Sequence, residues 1–135
     1  MQMSTRGRYG LRAMVELAEN PDQPLLLKEI AANQDISMKY LGRIISALKS
    51  AGLISRVSDG YLLTRAPGEI SCRQVINTLE GSLAPADCVD NPEICDRLSE
   101  CVVVDLFSRL KSTWEEELEA TSLADLVDRK NSKDR

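Results

Sequence analysis

Three cysteines, Cys88, Cys95 and Cys101, fall within one 14-residue stretch, CVDNPEICDRLSEC. The chain has one other cysteine, Cys72, and no histidine. Thiols gathered on a polar, proline-containing segment suit either pairing with one another or ligation of a soft metal through sulfur. The C-x6-C-x5-C spacing is wider than the two to four residues that separate ligands in common zinc sites. It also departs from the C-x2-C-x2-C rhythm of bacterial ferredoxins. The segment therefore reads as a thiolate site, with its cargo open. Asp87, Asp90, Glu93, Asp96, Glu100 and Asp105 surround the triplet and disfavour a free thiolate; a bound iron or zinc ion would supply the missing positive charge. Without histidine no Cys–His pair can form, and neither a carboxylate pair, a phosphate-cradling glycine loop nor a serine-centred motif stands out. An enzyme is not expected. Cys72, at the start of a predicted helix, reads as an inert buried thiol.

The elements that must position these residues divide the 135-residue chain by charge. Residues 1–65 carry nine Lys/Arg against six Asp/Glu, a balance of +3; residues 66–135 carry eight against fifteen, a balance of −7. A basic front and an acidic back suit two jobs in one chain, the first of them contact with nucleic acid. No apolar run approaches the length of a membrane span, and no signal-peptide pattern opens the chain. A cytoplasmic protein with reduced thiols is expected.

In the front half, helical spacing predicts a helix over 5–19, ended by Asn20-Pro21, and a short helix over 27–33. Ser37 is placed to cap a third helix over 38–49, with Leu41, Ile44, Ile45 and Leu48 as its buried stripe and Gly52 beyond its end. Two β-prone runs, 53–57 and 61–65, flank Ser58-Asp59-Gly60 as a hairpin. Helix, helix, tight turn, helix, hairpin is the order of a winged helix-turn-helix, whose second paired helix enters the major groove of double-stranded DNA. Ser37, Met38, Lys39, Tyr40 and Arg43 are then the DNA-reading candidates. Arg43 suits a guanine edge, Ser37 and Lys39 suit phosphates, and Tyr40 also suits the core. Arg6, Arg8 and Arg12 on the first helix, and Arg56 and Arg65 on the wing, are further phosphate candidates.

In the back half, Pro67-Gly68 marks a break, and Ser71-x-x-Gln74 reads as a capping box opening a helix to Glu80. A long helix is predicted over 99–120, with Val103, Phe107, Leu110, Trp114 and Leu118 forming an apolar seam. That seam serves either the core or a dimer interface. The interface is favoured, because the head is too small to cover so long a helix and a palindromic site needs a two-fold partner. Ser122-x-x-Asp125 caps a last helix to Val127. The expected organisation is mainly α with a small β-hairpin: a winged helix-turn-helix head over 1–66, a linking helix over 67–81, a cysteine-bearing loop over 82–101, a dimerisation helix and short terminal helix over 99–128, and a disordered tail over 129–135.

Several ordered motifs resemble the Rrf-two family of bacterial winged-helix regulators: MSTRGRYGLRAM at 3–14, Glu29-Ile-Ala, Ser37-x-x-Tyr40-Leu41, LKSAGL at 48–53, Gly60-Tyr61 and VINTLEG at 75–81. The likeness runs from residue 3 to about residue 127. It implies a homodimer with a DNA-binding head and a long dimerisation helix. Cluster-bearing members hold an iron–sulfur cluster on three cysteines between head and helix, and Cys88, Cys95 and Cys101 fall on those positions. Some relatives place a histidine fourth ligand where this chain has Val104, and others an N-terminal aspartate where it has Arg8. Asp105 is left as the nearest oxygen donor, with an external ligand as the alternative. A 2Fe–2S cluster is favoured over 4Fe–4S. Relatives also carry Glu-Gln where this chain has Gly42-Arg43, and a wing one residue longer, so a different operator preference is expected. The readings set beside this one are a cluster-free thiol/disulfide regulator and a protein–protein adaptor that uses the head as a docking surface.

Overall fold

The computed structural model describes residues 2–58 and 60–134; Asp59, in the expected hairpin turn, lies outside them. Helix α1 spans Thr5–Glu19, and the Ser4 hydroxyl oxygen accepts from the Gly7 amide at 3.1 Å at its start. Helix α2 spans Leu27–Gln34 and ends at Asp35, whose φ of 55° is left-handed. Aspartate tolerates that conformation better than most residues, and here it sets the tight turn. Ser37 follows as the cap of α3, Met38–Ser50, accepting from the Tyr40 amide at 3.2 Å. The buried stripe of α3 is Leu41, Ile44, Ile45 and Leu48, as its spacing predicts.

Strands β1, Ile54–Val57, and β2, Gly60–Leu63, pair antiparallel with Ile54 opposite Leu63 and Arg56 opposite Tyr61. The hairpin is tied to the helix pair by two backbone hydrogen bonds between Leu25 and Tyr61, at 2.9 and 3.2 Å. Only glycine fits at position 60, because a Cβ there would lie 2.5 Å from the Leu25 carbonyl oxygen.

Helix α4, Cys72–Glu80, opens on the expected capping box: the Ser71 hydroxyl oxygen accepts from the Gln74 amide and the Gln74 side-chain oxygen accepts from the Ser71 amide. α4 crosses α1 at Gly7 and Gly10, where a Cβ would meet the Glu80 carboxylate and the Leu79 side chain. The segment after it holds a four-residue helix, α5, Asp87–Asp90, and two 3-10 turns, Pro92–Ile94 and Leu98–Glu100. Helix α6 then runs Val102–Ala120 and α7 runs Leu123–Lys133. The long helix thus begins three residues later than its spacing suggests, since residues 98–100 are wound as a 3-10 turn. The last helix continues through 129–133, where a disordered tail is expected; the structure corrects that expectation. Its capping box is Ser122 with Asp125, its last turn carries Lys130 and Lys133, which suit a helix C-terminus, and Lys130 pairs with Glu19 of α1.

One hydrophobic core runs from Ala13 on α1 through Ile30, Leu41, Ile44, Leu48 and Ile54 to Ile70, Val75, Leu79 and Leu123. The head therefore shares its core with α4 and with the start of α7. Helix α6 contributes nothing to it: none of its 19 residues is buried. Val102, Val103 and Leu106 are 77%, 50% and 54% exposed. Among the described residues, no helix is long and apolar enough to cross a membrane.

Candidate nucleic-acid interface and cysteine loop

Burial of Leu41, Ile44, Ile45 and Leu48 turns the opposite side of α3 outward. On that side Ser37, Met38, Lys39 and Arg43 are exposed. Tyr40 is half-buried and meets Tyr9 of α1 edge to face, with ring centroids 6.1 Å apart. Its ring is therefore a packing group. The open amides of the first turn of α3 and the positive end of its dipole favour an approaching phosphate. Arg56 is exposed on β1, and Arg8 is exposed on α1, with a long 3.5 Å contact to the Thr5 hydroxyl. The fold thus presents the start of α3, the start of α1 and the hairpin outward, with cationic groups on each.

The cysteine triplet is not drawn together. Cys88 lies on α5 and is half-buried, Cys95 is exposed between the two 3-10 turns, and Cys101 is the half-buried cap residue of α6. All are free thiols. Among the described residues, no three Cys, Asp or Glu side chains stand close enough to hold a metal ion. Asp105, in the first turn of α6, is exposed, and Val104 offers no donor. Three soft thiols without histidine match iron–sulfur chemistry in kind, while the loop as folded keeps them apart. The loop has one anchor of note: Asp90 accepts from the Ser82 hydroxyl and, at 2.9 Å, from the Lys111 ammonium of α6. The Ser82 hydrogen bond first, and then the one from Lys111, hold the Asp90 carboxyl below its usual range. Residues 91–97 are exposed throughout, the mark of a segment that rearranges at little cost. Cys72 is buried, and burial pushes its thiol up from 9.0 to about 11, which makes it inert at neutral pH.

Residues 3–129 match the Rrf2 family, described as an iron-dependent transcriptional regulator. The chain belongs to the Rrf2 family. The transcriptional regulator CymR of Bacillus subtilis is 35% identical over 131 residues, which cover 94% of this chain and 90% of CymR. The structure of that CymR, described as a global cysteine regulator, superposes with a TM-score of 0.78 at 33% identity, covering 95% of this chain and 97% of that one. The regulator IscR of Aliivibrio salmonicida is 31% identical over 94% of this chain and 77% of its own. An oxidised form of Staphylococcus aureus CymR has a TM-score of 0.76 at 32% identity, covering 94% of this chain and 96% of that one.

As an Rrf2 protein the chain is a helix-turn-helix transcription regulator, and α2, the Asp35 turn and α3 form that motif. Two features of this Rrf2 chain leave no clear mark on its sequence. The Asp90–Lys111 link joins residues 21 apart in the chain. The hydrogen bonds of Arg12 to Gln34 span 22 residues, and no motif in either segment announces them.

Proposed function

We propose that this Rrf2 protein is a homodimer that reads a pseudo-palindromic site in double-stranded DNA through the first turns of α3 and the hairpin. We propose further that its affinity for that site is set by an iron–sulfur cluster on Cys88, Cys95 and Cys101. The observation that carries the DNA reading is the uncovered outer face of α3. Ser37, Met38, Lys39 and Arg43 stand open there, on a helix whose other face is sealed into the core. The dimer rests on α6, a 19-residue helix without one buried side chain and with three large aliphatic groups in the open. An isolated apolar stripe of this kind marks a surface that another chain covers.

The cluster rests on the donor set. When bound, it would supply a charge and a redox state that respond to iron, oxidant or nitric oxide. The chain's own contribution is position: the cysteine loop joins α4, which packs on α1 and α3, to α6. A change in the loop thereby reaches both the reading helix and the surface that sets the spacing of two heads. Coupling of this kind requires only that the two loop states differ in DNA affinity.

The test has two arms. Protein isolated without oxygen is coloured and contains iron and acid-labile sulfide; colourless protein that takes up no iron on reconstitution removes the cluster. A duplex selected from a randomised library by the wild-type protein binds with a steep salt slope, and Arg43→Ala weakens it more than it weakens unselected DNA. Failure to select any duplex removes the DNA reading and favours an adaptor role.

A second reading is favoured by the free and partly open state of all three thiols and by the existence of an oxidised form of a CymR relative. In it, two thiols of the triplet form a reversible disulfide. Mass spectrometry after mild oxidation of iron-free protein, followed by reduction, separates the two readings.

A further inference from the structure

The geometry points to Arg12 as a positioning residue for the reading helix, acting through Gln34, rather than as a contact to DNA phosphates. This rests on the reading of α3 as the element that meets DNA. Arg12 lies on the first helix among basic residues that look alike in sequence, and its side chain is exposed enough to suit a phosphate. Its guanidinium is already committed. Nε donates to the Gln34 side-chain oxygen at 3.0 Å, and a terminal nitrogen donates to the Gln34 backbone carbonyl at 2.6 Å. Gln34 is the last residue of α2. The left-handed Asp35, the buried Ile36 and the capping Ser37 follow directly. A hydrogen bond to that carbonyl therefore holds the corner from which α3 departs.

The other end of the Gln34 amide is held as well, because its nitrogen donates to Glu16 Oε1 at 2.8 Å. Gln34 is thus clamped between two residues one turn apart on α1. The second oxygen of Glu16, Oε2, is buried and has no hydrogen-bond partner. Leaving a carboxylate oxygen unsatisfied is costly, so Glu16 at this place makes sense as a device for orienting Gln34. A second route runs from the same guanidinium. It lies 5.2 Å from the centre of the Tyr9 ring, and Tyr9 packs against Tyr40 in the first turn of α3, three residues before Arg43. Only a flat guanidinium supplies a two-point fork and a stacking face together; a lysine ammonium keeps the charge and loses both.

The two roles separate in one experiment. Binding of a duplex selected by the wild-type protein, and of a scrambled duplex of equal composition, is measured by fluorescence anisotropy over a salt series. The temperature is set well below every variant's melting point. For a positioning residue, Arg12→Lys lowers the ratio of selected to scrambled affinity at least tenfold with an unchanged salt slope. Gln34→Ala, which alters no charge and suits the helix end, does the same. For a phosphate-binding residue, Arg12→Lys leaves the ratio intact, Gln34→Ala is silent, and Arg12→Met flattens the salt slope by about 0.9 for each phosphate it no longer neutralises. That second pattern overturns the assignment, as does an intact ratio in Gln34→Ala alone. If the wild-type protein enriches no duplex, the reading of α3 has failed, and that result is distinct from either pattern.

Discussion

Leu106→Ser tests whether α6 is the surface that joins two copies. Fully burying a leucine side chain is worth ~2 kcal/mol. Leu106 is 54% exposed in the single chain, so a partner that covers it gains about half of that, ~1 kcal/mol per copy. A two-fold interface counts the residue twice, and serine removes nearly all of it, so the dimer loses ~2 kcal/mol, a roughly 30-fold rise in its dissociation constant. Sedimentation equilibrium reads this directly. Because Leu106 lies outside the buried core, circular dichroism and the melting of the monomer change little. Met38→Ser is the matched control: Met38 is 52% exposed but sits on α3, and its loss leaves dimerisation untouched while DNA binding weakens. Two results refute the reasoning: a Leu106→Ser protein that dimerises like the wild type, or equal weakening by both substitutions.

Other outcomes follow from single sites. Gly10→Ala drives a methyl into the Leu79 side chain and destabilises by about 1–3 kcal/mol. Gly42→Ala finds nothing nearer than Leu27 at 3.9 Å and stabilises by about 1 kcal/mol, roughly 3 °C in melting temperature; thermal denaturation reads both signs. Iodoacetamide at pH 8.5, followed by peptide mass mapping, modifies the exposed Cys95 first and leaves Cys72 unmodified until the chain unfolds, because that thiol is buried and ionises only near pH 11. The Asp125 carboxyl is held below its usual 3.8 by the backbone and then the side chain of Ser122. A lowered folded value stabilises above 3.8 and loses that contribution as pH falls through the folded value. Asp125→Asn therefore lowers the melting temperature near neutrality, where that contribution is fully present, and the gap to the wild type closes as pH falls below about 3.8.

The parts of the fold legible in the sequence are those written locally. Ser37 before α3, Ser71 with Gln74 and Ser122 with Asp125 each satisfy amides three residues away, so helix starts show in short strings. The stripe of α3 follows from periodicity alone. What escaped is set by partners distant in the chain. The last turns of α7 are helical where Lys130 meets Glu19, 111 residues away. The seam on α6 is visible as spacing, yet Val102 and Leu106, among its most open residues, are absent from the set 103, 107, 110, 114 and 118, because spacing cannot tell the side of a helix that faces its own chain from the side that faces away. The cysteines announce themselves by type, but their separation in space reflects the short turns 87–90, 92–94 and 98–100, which carry no periodic signal.

Leu123, fully buried beneath the head, has a consequence for the order in which the chain is made. Synthesis releases the helix-turn-helix first, yet the core behind it stays open until α7 arrives and the backbone of Leu123 bonds to Ile70. At about 5–20 residues per second, several seconds separate the emergence of the hairpin from that closure. A nascent chain still on the ribosome therefore carries α3 before the core behind it is closed by Leu123.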